Sequence, residues 1–331
     1  MPEGYTHLRT AQKAAAAIHY KIQCPAAFGA GANGPDSFFC YEVWKKKAKR
    51  HYDLPGLGER MHEEKTGQFL LSLCRHVKTR PQVEYALGFL CHYATDTVVH
   101  PFVCAMCEPG MPYGGKGGHG YLEIALDSTL HGEDTGDTLV PGDDASPLPT
   151  GEELADITTL LHTCLLEVYG EDIPVEYLAD AFYHIHALRG IFPSRHGLRR
   201  ALFWLVEPLF GGRGFITGHV SPRKLADLPD TWTDPFTGAT RDGGLFALLP
   251  KAQRRSEECM GAALLLWLKK YSEEEFFRAV GSASYTQGIA TPESDPDAAP
   301  PQPPQTPPAE PAAAPEPPEP DTTTETKETI V

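Results

Sequence analysis

His92, Asp96 and His100 stand at four-residue steps within the run 85–101. On a helix each such step turns the side chain by only about 40°, so three ligand-type groups share one face. Phe89, Leu90, Val98 and Val99, interleaved with them, are apolar enough to hold that helix inside a core. Imidazole and carboxylate groups withdrawn from water are costly unless hydrogen-bonded or metallated, and neutral His with ionised Asp is a donor set that zinc accepts. The plainer alternative is a pair of satisfied core histidines beside a surface acid. His119, Glu123 and Asp127 repeat the spacing on a second amphipathic run, whose other face carries Leu122, Ala125 and Leu126. Two such faces can meet around more than one metal.

Several elements must position these groups. Pro81 opens the first helix in the turn where proline is favoured, and Pro101 is expected to end it. Thr6 reads as the N-cap of a helix over 7–22, which puts His7 in its first turn, either at the surface or as a further ligand. In the Gly- and Pro-rich stretch 28–36 the chain bends sharply and sets Asp36 at the head of 37–44, as an N-cap or as a metal-bound acid. His62 opens an amphipathic segment over 61–76. It is not part of a protease HExxH motif, because Thr66 stands where the second His is required. The Gly- and Pro-rich residues 107–118 form a loop between the two constellations. Residues 132–151 are acidic and turn-prone; helical periodicity resumes over 154–168, 175–188 and 198–209, and 244–280 reads as two helices with a break. No alternating strand pattern of useful length and no internal repeat is present. The expected fold is therefore all-α, a bundle of many helices.

A chain of 331 residues with 41% apolar residues can bury a real core. No apolar run approaches the roughly 18 to 20 residues of a membrane span. The start of the chain has no basic segment followed by an apolar one, so a cytoplasmic location is the expectation. The net charge is −15, but residues 291–331 hold nine acids against one lysine, so the body carries about half of it. An acidic body argues against a nucleic-acid backbone as partner. Residues 45–50 are a basic run, a solvated face or a point of transient contact with an anionic substrate or membrane surface. The eight cysteines form no dense framework and read as reduced thiols; Cys104 and Cys107 make a lone CxxC without a second half. Thirteen of the last 41 residues are proline, interleaved with Ala, Glu and Thr. Such a composition reads as an extended, disordered tail.

With Tyr5-Thr6-His7, Gly34-Pro35-Asp36, Met61-His62-Glu63, the HxxxDxxxH of His92, Asp96 and His100, and the HxxxE of His119 and Glu123 in one order, the chain resembles the bacterial zinc-dependent phospholipase C family. That family shares an all-helical, multi-zinc fold with single-strand-specific zinc nucleases. The resemblance covers roughly residues 1–130, and no motif carries it further. It implies one zinc held by Asp36, His62, His92 and Asp96, a second by His100, His119 and Glu123, and a third by His7 with a shared Asp96, two or three ions in all. The division expected is a metal-site region 1–130, a helical extension 131–290 packed on it, and a tail 291–331.

Clustered zinc ions lower the pKa of a bound water to about 7 and clamp the oxygens of a phosphodiester, so phosphodiester hydrolysis is the natural reaction. Asp36 would orient or deprotonate the attacking water, and Asp127 is placed to support a ligand histidine or to be an exposed helix acid. The leading expectation is a phospholipase C-type hydrolase acting on a phospholipid or another phosphodiester. A nuclease would share the metals and differ in the pocket. A third reading is a non-catalytic, metal-stabilised protein that binds a membrane or a partner through its tail.

Overall fold

The computed structural model describes residues 4–209 and 212–291. The expected tail, 291–331, lies outside the described residues apart from Thr291. The described chain is helical as expected, with thirteen α-helices and one two-stranded hairpin. In order the helices are α1 (Gly4–Ala17), α2 (Pro25–Ala32), α3 (Asp36–Phe39), α4 (Leu54–Glu63), α5 (Thr66–His76), α6 (Arg80–Met106) and α7 (Gly118–Thr135), followed by α8 (Gly142–Ala145), α9 (Gly151–Tyr169), α10 (Val175–Ile191) and α11 (Leu198–Val206). The hairpin β1 (Thr231–Thr233) and β2 (Thr240–Asp242) precedes α12 (Leu245–Trp267) and α13 (Glu273–Val280). Strands of three residues are too short for an alternating pattern to register, which is why the sequence did not announce them.

Helix α6 is the axis of the assembly. It is buried on all sides over most of its 27 residues, as an all-round apolar helix must be. α2 and α12 lie along it, and α1, α5, α7 and α9 also touch it. The approach to α2 is close enough to require glycine. A side-chain carbon at Gly31 would overlap the carbonyl of Tyr85, and one at Gly88 the carbonyl of Phe28. One apolar cluster packs Phe28, Phe69, Phe89, Leu161 and Phe182 around the first half of α6. A second gathers Phe102, Met106, Leu122, Leu126 and Trp232 around its end, with Trp232 edge-on to Phe102 at 5.3 Å.

Three local expectations are corrected. Pro101 does not end α6, which runs on to Met106. Proline removes only one intrahelical donor, and packing on both flanks holds the turns beyond it. The segment expected as one run over 61–76 is two helices, broken at Lys65 with φ 52°, so His62 lies in the last turn of α4. The first helix begins at Gly4, not at His7, and ends at Ala17. The break expected within 244–280 is present between α12 and α13, and the Ser272 and Glu275 side chains cap the second of these. Cys104 and Cys107 of the CxxC are free thiols, as are Cys24, Cys74, Cys91, Cys164 and Cys259. Among the described residues no helix is long and apolar enough to cross a membrane.

Candidate metal centre

Each candidate side chain is delivered by a separate local device. α1 starts against α7: the Asp127 carboxylate accepts from the Tyr5 and Thr6 amides at 3.0 and 2.8 Å and from the Thr6 hydroxyl at 2.5 Å. This remote acid caps α1 in place of the expected Thr6 cap, so Asp127 is a buried anchor for the helix that carries His7, not an exposed helix acid. Asp36 is the first residue of α3, whose N-cap position is held by Pro35. Ahead of it Gly34 takes φ +52°, and a side-chain carbon there would run into the His92 ring, so the turn that presents Asp36 needs glycine twice over. His62 Nδ1 donates to the Gly58 carbonyl one turn back at 2.7 Å. His92, Asp96 and His100 follow one another along α6, with His92 and Asp96 wholly buried and His100 nearly so.

The side chains converge in two groups. His7, Asp36 and His92 bring one ligand atom each within 4.8 Å of one another, and so do His62, His92 and Asp96; His92 belongs to both sets. Asp96 Oδ2 lies 3.1 Å from His92 Nε2 and 3.9 Å from His62 Nε2, while its Oδ1 lies 3.3 Å from His7 Nε2. Asp36 Oδ1 is 3.4 Å from His62 Nε2 and 3.6 Å from His92 Nε2. The His7 and His92 rings stack at 4.1 Å. His100, His119 and Glu123 form the other group, with His119 Nε2 at 2.8 Å from Glu123 Oε1 and the two imidazoles 5.0 Å apart. The four-residue set and His7, expected at separate ions, thus form one continuous cluster of five.

Close as they are, Asp36 Oδ1, both Asp96 oxygens and the Nε2 atoms of His7, His62 and His92 have no partner in hydrogen-bond geometry among the described residues, and neither has His100 Nε2. So many buried lone pairs pointed past one another would be strongly destabilising without a cation among them. The opposite ring edges are fixed. Nδ1 of His62, His92 and His100 donates to the carbonyls of Gly58, Ala32 and Thr286, at 2.7, 3.1 and 3.3 Å, so Nε2 of each carries the lone pair. Burial holds His7, His100 and His119 below the usual histidine range, in the neutral form that ligates. Burial works against ionising Asp96, but His92 and His7 beside it outweigh this and hold it well below the carboxylate range. For His92 burial pulls downward while Asp96 and Asp36 prevail and raise it, so the two carboxylates favour positive charge at its inward edge, which a metal ion would supply. Neutral imidazole nitrogens and ionised carboxylates, buried and convergent, fit zinc.

No spacing pattern marks the groups that residues beyond 130 contribute. Tyr285 stands 5.0 and 5.8 Å, ring to ring, from His62 and His92, and its amide donates to the His62 carbonyl at 2.8 Å. Thr286 supplies the carbonyl that orients His100. His219 joins Asp36 and Glu123 in the wall of a cavity of about 490 Å³, otherwise lined mainly by apolar side chains such as Phe39, Leu188, Phe192 and Phe203. These residues carry no spacing motif, because Tyr285 and Thr286 come together from a turn after α13 and His219 comes singly from a short turn over Thr217–His219. A larger depression of about 890 Å³, at residues 129–138, 222–230 and 244–247, borders none of the eight candidate ligands.

Residues 6–164 match the family model of zinc dependent phospholipase C. No match to the chain is found among curated proteins or among solved structures. All eight candidate ligands fall inside the matched stretch, whereas α10, α11, Tyr285 and Thr286 fall outside it.

Proposed function

Since residues 6–164 are a segment of the zinc dependent phospholipase C family, we propose that this chain is a zinc-dependent hydrolase that cleaves a phosphodiester bearing an apolar group, a phospholipid in the first instance. The observation that carries this is the buried cluster of His7, Asp36, His62, His92 and Asp96, whose lone pairs converge without hydrogen-bond partners among the described residues. Those five side chains would hold zinc in one part of the site, and His100, His119 and Glu123 in the other. Zinc, when bound, supplies Lewis acidity toward phosphoryl oxygens and lowers the pKa of water.

The chain's own groups account for the rest. Asp36 belongs both to the cluster and to the cavity wall, so its carboxylate orients a water molecule toward a diester in the cavity and takes its proton. The Gly58, Ala32 and Thr286 carbonyls keep the Nε2 edges of three histidines turned inward throughout. The apolar side chains of Phe39, Leu188, Phe192 and Phe203 exclude water and accommodate an apolar portion of the substrate. That lining, together with the acidic body, favours a lipid over the polyanionic strand a nuclease would take.

Zinc analysis of the purified chain, with turnover of a phosphorylcholine ester, a bis-aryl phosphodiester and single-stranded DNA, tests the reading. Zinc-dependent cleavage of the first two with DNA left intact is expected. A zinc-loaded protein that cleaves none of them, or DNA alone, would overturn it.

A further inference from the structure

Helix α11 is amphipathic the wrong way round for a soluble surface. Leu198, Leu202 and Leu205 repeat at helical spacing, and Leu209 in the 3₁₀ turn that follows extends the stripe. They are 78, 59, 68 and 82% exposed. Four leucines in a row in water are a contiguous apolar patch, not the scattered exposure that any surface shows. The opposite face of the same helix is occupied: Phe203 and Val206 line the cavity that Asp36 and Glu123 also border. Trp44, Ile191 and Phe215, half-exposed at that cavity's rim, continue apolar surface from the helix toward its mouth.

The segment that carries this patch is basic in a chain that is acidic as a whole, although Arg189, Arg200 and Arg223 in it donate to protein groups. Residues 188–226 contain seven Lys and Arg and a single acid, Glu207, in a protein of net charge −15. Glu207 is buried and turned inward, accepting from the amides of Ile216 and Thr217 at 3.2 and 2.9 Å. Arg195 is paired with Asp137 at 2.6 Å, while Arg199 is exposed and, among the described residues, donates only to the backbone carbonyls of Ile191 and Pro193. Arg213 lies 3.5 Å above the half-exposed Trp204 indole, and Lys116 packs against Gly212 and Gly214. An outward leucine stripe flanked by arginine, lysine and tryptophan is the chemistry of a helix that lies in the interface of an anionic bilayer.

We propose that α11 with the turn through Leu209 docks this protein on an anionic lipid surface, its leucines entering the acyl boundary and its basic residues meeting the headgroups. The proposal rests on the phospholipase reading for its purpose, because the docked helix has its other face in the substrate cavity. It does not rest on that reading for its test. None of the four leucines lines the cavity or the metal clusters.

The test is co-sedimentation of the full chain with vesicles of phosphatidylcholine containing about one quarter phosphatidylserine, against vesicles of phosphatidylcholine alone. The same measurement is made on the double variant Leu202→Gln, Leu205→Gln, with turnover of a soluble bis-aryl phosphodiester in parallel. Binding to the anionic vesicles that weakens with added salt is expected, and a loss of at least about tenfold in the variant with unchanged soluble turnover. Absence of binding by the unaltered chain, or binding that the variant keeps, overturns the proposal. So does a salt-stable dimer of the unaltered chain that the variant disrupts without any vesicle binding, which would assign the stripe to a second copy. Should the variant fail to fold by circular dichroism, the composition and salt dependence of the unaltered chain decide the matter alone. Leucine-dependent binding in a protein that hydrolyses no diester would retain the docking surface and reject the phospholipase reading.

Discussion

Glu42 sits in a turn with left-handed backbone, φ 45°, and gathers three donors there: Lys45 Nζ at 2.6 Å, the His51 amide at 3.1 Å and His51 Nδ1 at 2.9 Å. Burial resists its ionisation, but these donors prevail and push its pKa from 4.5 down to about 2. The turn it ties carries Val43 and Trp44 of the cavity wall. A carboxylate whose folded pKa is depressed stabilises the fold fully above its unfolded value and loses that contribution as pH falls through the folded one. Glu42→Gln should therefore cost on the order of 1 kcal/mol at neutral pH, solvent around Lys45 and His51 screening the larger value the shift implies. The difference from the unaltered chain should shrink between pH 4.5 and about 2 in denaturation measured across that window; a gap that stays constant with pH would contradict this. At the same scale the candidate ligands were legible wherever one helix spaces them, as with His92, Asp96 and His100. Their grouping came from the family resemblance and not from spacing: His7, Asp36 and His62 meet His92 through tertiary packing, which spacing does not encode. Nor did any signal mark Tyr285 or His219, single residues from otherwise ordinary segments.

Asp127 shows how an element is held by a residue far from it in sequence. Its carboxylate serves the first turn of α1, 121 residues away, and that helix has no acid of its own in its first turn. Asp127→Ala should lower stability by about 1–3 kcal/mol, since two buried donors and one part-buried donor lose their acceptor. Asp134→Ala, which removes a partly exposed partner of Arg9 and Tyr5 from the same pair of helices, should cost less than about 1 kcal/mol. Equal losses in thermal or urea denaturation would show that the cap has no special role. The longer helices were readable from periodicity, and so was the break between α12 and α13, whereas α2 lies partly in the stretch 28–36 read as a sharp bend and most of α4 went unread. Local rules failed where packing or a remote partner replaced them: the cap of α1 comes from α7, α6 continues through Pro101, and Lys65 divides what reads as a single run.

For the molecule as a whole, the two metal-ligand groups lie one helical turn apart along α6, the helix on which both apolar clusters are built. A cation bound there is bound to the folded state alone, so its removal must lower stability by mass action. Stripping zinc with a strong chelator should reduce Tm by at least about 5 °C, and added zinc should restore it. An unchanged Tm after complete metal loss would mean that the cluster is stable empty. The most direct measurement of the central claim, however, is made on Asp96, the carboxylate between His7, His62 and His92. Zinc content and bis-aryl phosphodiester turnover are determined for Asp96→Asn and, as a control, for His76→Ala, whose ring meets Glu167 away from both groups. The amide keeps the size of the side chain and removes its charge, so zinc and turnover should fall together in Asp96→Asn and stay near native in His76→Ala. Near-native zinc and turnover in both variants would contradict the metal centre, and with it the hydrolase built upon it.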